Sequence, residues 1–310
     1  MARQVLFDTD PGCDDAVMLA MALGHPDIEV VGLSTVCGNT TIENTTHNAL
    51  SILELGNKTG IPVARGCGRP LVGSLSTAEE IHGEGGIRGD LPEPTVEPVD
   101  AHGAEFMIDT AHQYGEDLTI AAVGPLTNLA LALAIEPRLP ELVGDIYVMG
   151  GNALAPGNKT PAAEANFHND PEAAARVLQD GRVELVGLDV TTDATVSMER
   201  IERYRSSDGI LGIVGDWLTY PDTVSETDGQ DGYAVHDAAV AAGLVDSETL
   251  TYETYHCEVD TETGPSRGNV VCDVYSVTDG DAATDVAIDL DVERYRELLV
   301  EGVERFADGG

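Results

Sequence analysis

Lysine is nearly missing from this 310-residue chain. Only Lys58 and Lys159 occur, and Lys and Arg together number 16 against 55 Asp and Glu. A formal net charge of −39 leaves no basic face to neutralise phosphates, which excludes nucleic-acid binding by that route. Docking on an anionic membrane is disfavoured for the same reason. No run approaches the roughly 18 apolar residues of a membrane span. The opening residues lead straight into a strand-like run, without the apolar core of a signal peptide. The cysteines Cys13, Cys37, Cys67, Cys257 and Cys272 are odd in number and lack paired spacing. They indicate neither a disulfide framework nor a zinc site, and a reduced, cytoplasmic setting is expected.

What is present is a chain able to fold. Hydrophobic residues make up 42% of it, which excludes a disordered acidic tail. The length suffices to bury a full core. The acids are scattered over every segment rather than gathered in one block. That pattern reads as halophilic adaptation of the solvent-facing surface, in preference to a local cation store.

Short β-branched runs alternate with helical patterns. Residues 4–7, 28–34, 118–123, 145–149 and 183–188 read as strands, and 14–23, 42–55, 126–135 and 171–179 as helices. A further helix begins near His236, and 249–278 reads as two or more strands. This rhythm predicts an α/β fold: an open, mostly parallel Rossmann-like sheet with helices on both faces. Segments 66–98 and 220–232 read as mobile surface loops. No internal repeat or low-complexity linker appears, so one domain spanning 1–310 is expected.

In such sheets ligands sit beyond the carboxyl ends of the strands. The first strand leads into Asp8-Thr-Asp-Pro-Gly-Cys-Asp-Asp15, four carboxylates in eight residues. A Pro-Gly turn and a helix cap account for one or two of them. Convergence of Asp8, Asp10, Asp14 and Asp15 at one strand end would demand a cation or a shared proton. An all-oxygen donor set selects a hard cation, Ca²⁺ or Mg²⁺.

This block resembles the N-terminal fingerprint of the nucleoside hydrolases, the inosine–uridine-preferring N-ribohydrolases. Further blocks resemble the same family in order: Val36-Cys-Gly-Asn-Thr40, Gly124-Pro-Leu-Thr-Asn128, Val148-Met-Gly-Gly151, Gly157-Asn158, Glu164-Ala-Asn166, Asp170-Pro-Glu-Ala-Ala174 and His236-Asp237. The resemblance implies the nucleoside hydrolase fold and Ca²⁺-dependent hydrolysis of the N-glycosidic bond of ribonucleosides to ribose and free base. Such chemistry needs an activated water, stabilisation of a ribosyl cation and a protonated leaving group.

By the same resemblance, Asp10 is a calcium ligand and the general base. Asp15 and Asp237 are further ligands, and a backbone carbonyl completes the set. Val123 is preferred for that carbonyl, with Leu126 and Thr127 as alternatives. Asp14, Asn39, Asn158, Glu164 and Asn166 would hold the ribose, with Met149 packing against it. His236 would be the general acid, and His82 would face the base. A homodimer or homotetramer acting on a small-molecule nucleoside is implied.

Each residue also has a plainer reading. Asp237 could cap its helix, Asp15 could be a first-turn acid favoured by the helix dipole, the asparagines could be turn residues, and Glu164 could face solvent. Ala165 departs from the family pattern, where many relatives carry an aromatic residue. Tyr220, Trp217 or Tyr233 could supply a ring instead.

Three alternatives stand beside this reading. One is a pyrimidine-specific or other N-ribohydrolase of the same fold. Another is a haloacid-dehalogenase-like phosphatase, using Asp8-Thr-Asp10 and the acidic segment 280–285. The last is a non-catalytic Ca²⁺-dependent nucleoside-binding protein. The phosphatase lacks a ready lysine and gives the His236-Asp237 pair no role.

Overall fold

The computed structural model describes residues 2–219 and 232–309. Strand β1 (Arg3–Thr9) carries the buried run Val5, Leu6, Phe7 into the interior of an eight-stranded sheet. The other strands of the amino-terminal part are β2 (Ile28–Thr35), β3 (Val63–Arg65), β4 (Leu118–Ala122), β5 (Asp145–Met149) and β6 (Glu184–Val186). A small ribbon follows, formed by β7 (Thr195–Val196) and β8 (Tyr233–Ala234). Next come β9 (Leu250–Tyr255), the antiparallel pair β10 (Cys257–Val259) and β11 (Val270–Cys272), and finally β12 (Thr284–Leu290).

The order in the large sheet is β3-β2-β1-β4-β5-β6-β12-β9. Every neighbouring pair is parallel except β9 against β12. The chain winds outward through β2 and β3 on one side of β1, then restarts at β4 and winds the other way. The switch point lies between β1 and β4, where Asp8 pairs with Ala122. A crevice opens there at the carboxyl ends of the strands, the usual place for a ligand in such sheets.

Helices cover both faces, as the sequence predicts. Cys13–Gly24, Ile42–Leu55, His236–Val245 and Val292–Gly309 pack into one core. Gly103–Tyr114, Thr127–Ile135 and Pro171–Asp180 pack into the other. The helix Cys13–Gly24 is apolar on nearly every side, and such a helix must be enclosed. A Cβ at Gly24 would lie 2.0 Å from the Gly302 carbonyl oxygen, so this helix meets the C-terminal helix backbone to backbone.

Some expectations are corrected. The strand expected over 183–188 ends at Val186, its last pairing position with β5, and Leu188–Thr191 is a helical turn. The segment 66–98 contains a short helix, Glu79–His82. It is pinned by the Arg88 guanidinium, which donates to the Ile81 and Thr219 carbonyls. The remainder of the second expected loop, 220–231, lies outside the described residues. The acidic segment 280–285 enters β12 beside Glu184, at the amino-terminal edge of the parallel strands. It is thus at the opposite end of the sheet from Asp10, which removes the geometry a phosphatase would need. Among the described residues no helix is long and apolar enough to cross a membrane.

Candidate active site

Burial sorts the acids. Among the described residues the fully buried ones are Asp8, Asp10, Asp15, Glu164, Asp170 and Asp237. Two of these are structural by their contacts. Asp170 caps the helix Pro171–Asp180 through the Ala173 N–H and accepts from the Thr127 hydroxyl at 2.6 Å. Asp8 accepts from the Ser34 hydroxyl at 2.6 Å and the Asn128 amide at 2.8 Å. Asp8 therefore leaves the acidic turn, although its own burial still pushes its carboxyl up to about 6.

The other acids of the turn stay together. Asp15 sits in the first turn of the helix Cys13–Gly24. It accepts from the Thr9 hydroxyl at 2.5 Å, the Gly12 N–H at 3.0 Å and the Asn39 amide at 3.0 Å. Carboxylate oxygens of Asp14, Asp15 and Asp237 lie within 4.8 Å of one another. Asp10 is buried beside them. Its Oδ2 accepts from the Asn39 N–H at 2.6 Å, and its Oδ1 has no hydrogen-bond partner. Asp14 Oδ1 is likewise buried without one.

Burial and then mutual repulsion set the protonation of this group. Burial pushes Asp15 up to about 7, with the nearby Asp14 charge adding to it. Asp10 is held well above the carboxylate range by burial and by Asp15. Asp237 is raised by burial and by the charges of Asp14, Asp15 and Asp10. Buried carboxylates so close together, two with unsatisfied oxygens, form the donor set of a hard divalent cation. The residues fit such an ion.

A cavity of about 980 Å³, its open mouth included, lies over the cluster. It is lined by Asp14, Asp15, Asn39, His82, Val123, Met149, Asn158, Glu164, Asn166, His236 and Asp237. Every site residue expected from the sequence except Asp10 is on that wall. Leu126 and Thr127, the alternatives to Val123, are not on it. The residues come from the β1, β2, β4 and β5 ends and from two distant segments, the helix Glu79–His82 and the start of His236–Val245, so the switch point is what assembles them.

The local contacts are specific. Glu164 does not face solvent: it caps Ala165–Asn169, and its oxygens accept from the Asn166, Gly151 and Phe167 N–H groups at 2.8, 2.9 and 3.1 Å. Burial raises its carboxyl. The Asn166 amide donates to the Val123 carbonyl at 2.8 Å. Asn158 accepts from the Ala165 N–H at 3.1 Å. His82 accepts from the Cys13 N–H on Nδ1 at 3.1 Å, which places its ring proton on Nε2, and burial holds its pKa down. Nδ1 of His236 lies 2.8 Å from the Thr191 hydroxyl.

The ring candidates separate. Trp217 is fully buried in the core and its indole N–H donates to the Arg88 carbonyl at 3.0 Å, so it is no cavity residue. Tyr233 lines the cavity. Tyr220 lies outside the described residues.

Sequence reasoning missed Lys159, Ser76 and Asn169, which also line the cavity. It also missed Asn152, a buried residue that accepts from the Glu164 N–H and donates to the Ala155 and Ala162 carbonyls, fixing the loop that carries Asn158. A lysine next to Asn158, in a chain with only two, was the available signal.

Known proteins give a consistent comparison. The family model described as inosine-uridine preferring nucleoside hydrolase matches residues 5–297. A pyrimidine-specific ribonucleoside hydrolase RihA from Shigella boydii is 38% identical over 312 residues, covering 99% of this chain and 100% of the relative. A purine-preferring ribonucleoside hydrolase from Gardnerella vaginalis superposes with a TM-score of 0.91 at 29% identity, covering 98% of this chain and 99% of that one. A plant nucleoside hydrolase superposes with a TM-score of 0.89 at 31% identity, covering 99% of each chain.

Proposed function

The chain belongs to the inosine-uridine preferring nucleoside hydrolase family and is a ribonucleoside hydrolase; from that premise we propose that it is a Ca²⁺-dependent enzyme preferring pyrimidine ribonucleosides, uridine first. The observation that carries the metal dependence is the buried carboxylate group at the switch point, with two unsatisfied oxygens. The pyrimidine preference is supported by the full-length likeness to the pyrimidine-specific relative. Inosine is the second reading, supported by the purine-preferring structural relative.

Asp10, Asp15, Asp237 and the Val123 carbonyl would hold the ion, with Asp14 beside them. Calcium, when bound, supplies the positive charge that lets these acids ionise together and acidifies water modestly. Asp10 acts as general base through Oδ1, the oxygen left unpartnered while Asn39 fixes Oδ2. Asp14, Asn39, Asn158, Glu164 and Asn166 bind the ribose hydroxyls and spread the charge developing on the sugar. Met149 packs against the ring. As general acid His236 acts in its imidazolium form: Nδ1–H donates to the Thr191 hydroxyl, the Nε2 proton passes to the departing base, and the neutral ring remains. His82, with Nδ1 occupied by Cys13, offers Nε2–H to the base.

We take the enzyme to act as one domain, as a homodimer or homotetramer, in a reducing cytoplasm and at high salt. Five free thiols support the reducing setting. Ribose release from uridine, cytidine, inosine, adenosine and guanosine in concentrated KCl tests the function, with and without chelator. No ribose from any nucleoside, or full activity in Asp10→Asn, refutes it. Equal rates after complete calcium removal refute the metal dependence alone.

A further inference from the structure

One wall of the cavity is unlike the rest. Lys159 is the only Lys or Arg among the lining residues, and segment 220–231 contains neither type. Several of the scarce cations elsewhere are engaged with carboxylates at short range: Arg267 with Glu172 at 2.7 Å, Arg294 with Asp246 at 2.8 Å, Arg3 with Asp145 at 3.0 Å. In a chain with 55 acids such pairing is the expectation. Lys159 is held less closely than these. Its ammonium lies 3.4 Å from the Thr77 carbonyl and 3.9 Å from the exposed Glu80 carboxylate. Three N–H donors thus meet one long hydrogen bond and one distant charge.

The surroundings leave room and further donors. Ala165 lines the same wall and ends at Cβ. The bond from the Ala165 N–H to Asn158 holds it close to the Lys159 backbone. Asn169 accepts from the Ser76 N–H on Oδ1 at 3.0 Å, which leaves its amide nitrogen as a donor, and both residues line the cavity. The buried carboxylates gather instead around Asp14, Asp15 and Asp237.

Resting on the hydrolase reading above, we propose that the end of the cavity bounded by Ser76, Lys159, Ala165 and Asn169 is a subsite for an anionic substituent on the nucleoside. The shared chemistry is a phosphate or carboxylate bound by the Lys159 ammonium, carried either on the sugar or on the base. The substrate range then extends from neutral nucleosides to anionic ones, despite the acidic surface.

The test compares wild type, Lys159→Met and Lys159→Arg on uridine, uridine 5′-monophosphate and orotidine. Calcium is fixed and KCl is varied. Release of the sugar product gives kcat/KM, and calorimetry gives the affinity of the same three compounds whether or not the bond is cleaved. Lys159→Met is expected to lower the ratio of anionic compound to uridine by about tenfold, as loss of a charge-assisted hydrogen bond does. Lys159→Arg retains the ratio, and KCl lowers it in wild type but not in Lys159→Met. A fall for the monophosphate alone places the anion on the sugar, and a fall for orotidine alone places it on the base. An unchanged ratio for both compounds overturns the proposal. So does exclusion of both by wild type, with affinities more than about a hundredfold below that of uridine. Failure of the hydrolase reading is a separate result, no sugar from any neutral nucleoside, and the calorimetric ratio still decides the subsite.

Discussion

The carboxylate group makes the stability of the calcium-free protein depend on pH in a defined direction. An unfolded Asp15 loses its proton near 3.8, whereas the folded one holds it to about 7. Between those values the folded state binds more protons than the unfolded state. Stability therefore falls as pH rises through that window and levels off above it. The interval corresponds to on the order of 4 kcal/mol for Asp15. Asp10 and Asp237, shifted the same way, share in it as one titrating group.

For a domain of this size 4 kcal/mol lowers the melting temperature by roughly 6 °C. The assay is thermal unfolding from pH 5 to pH 8 at constant, concentrated KCl, once with chelator and once with calcium. The chelated protein should lose stability with rising pH, and calcium should cancel most of the loss by binding the ionised acids. A residual slope remains from Asp8, whose shift to about 6 has the same sign and whose partners are Ser34 and Asn128 rather than the cluster. Asp237→Asn separates this effect from general surface repulsion: the chelated variant should fall less steeply. A flat or rising profile in chelator, or an equally steep fall in Asp237→Asn, refutes the reasoning.

The remaining expectations concern activity and salt. Asp10→Asn should reduce ribose release by roughly a thousandfold, while raising the melting temperature in chelator because one repelled charge is gone. Gly38→Ala would set a Cβ 2.0 Å from Asp10 Oδ2 and 2.7 Å from the Pro125 ring. It should cost at least about tenfold in kcat/KM by displacing the base, whereas Gly60→Ala, with nothing within 4 Å, should be silent. His236→Ala should slow purine nucleosides more than ribosides with an activated leaving group; equal losses would remove its acid role. Dilution of KCl should lower the melting temperature even with calcium bound, while chelator should abolish activity even at high salt. Changes that always move together would join the surface charge to the site.

The alternation of short buried strands with helices was legible in the sequence because burial on both sheet faces needs continuous apolar runs such as Val5–Phe7. Asp145–Met149 coincides with its strand for that reason, and Ile42–Leu55 with its helix because its apolar residues recur at helical spacing. The stretch 249–278, read as two or more strands, holds β9, β10 and β11, whereas β12 was harder to read because it mixes polar and apolar residues. The sequence by itself determined the type of chemistry: oxygen donors clustered after the first strand, ordered motifs, and a shortage of cations. Only the tertiary structure decided which acids share the site. Strand pairing turned Asp8 toward Ser34 and Asn128. The switch point brought Asp237, more than two hundred residues away, to Asp14 and Asp15. It also placed Lys159 on the cavity wall. The physical reason is that residue type and local spacing fix what a side chain can do, while strand order and register fix which distant side chains it faces.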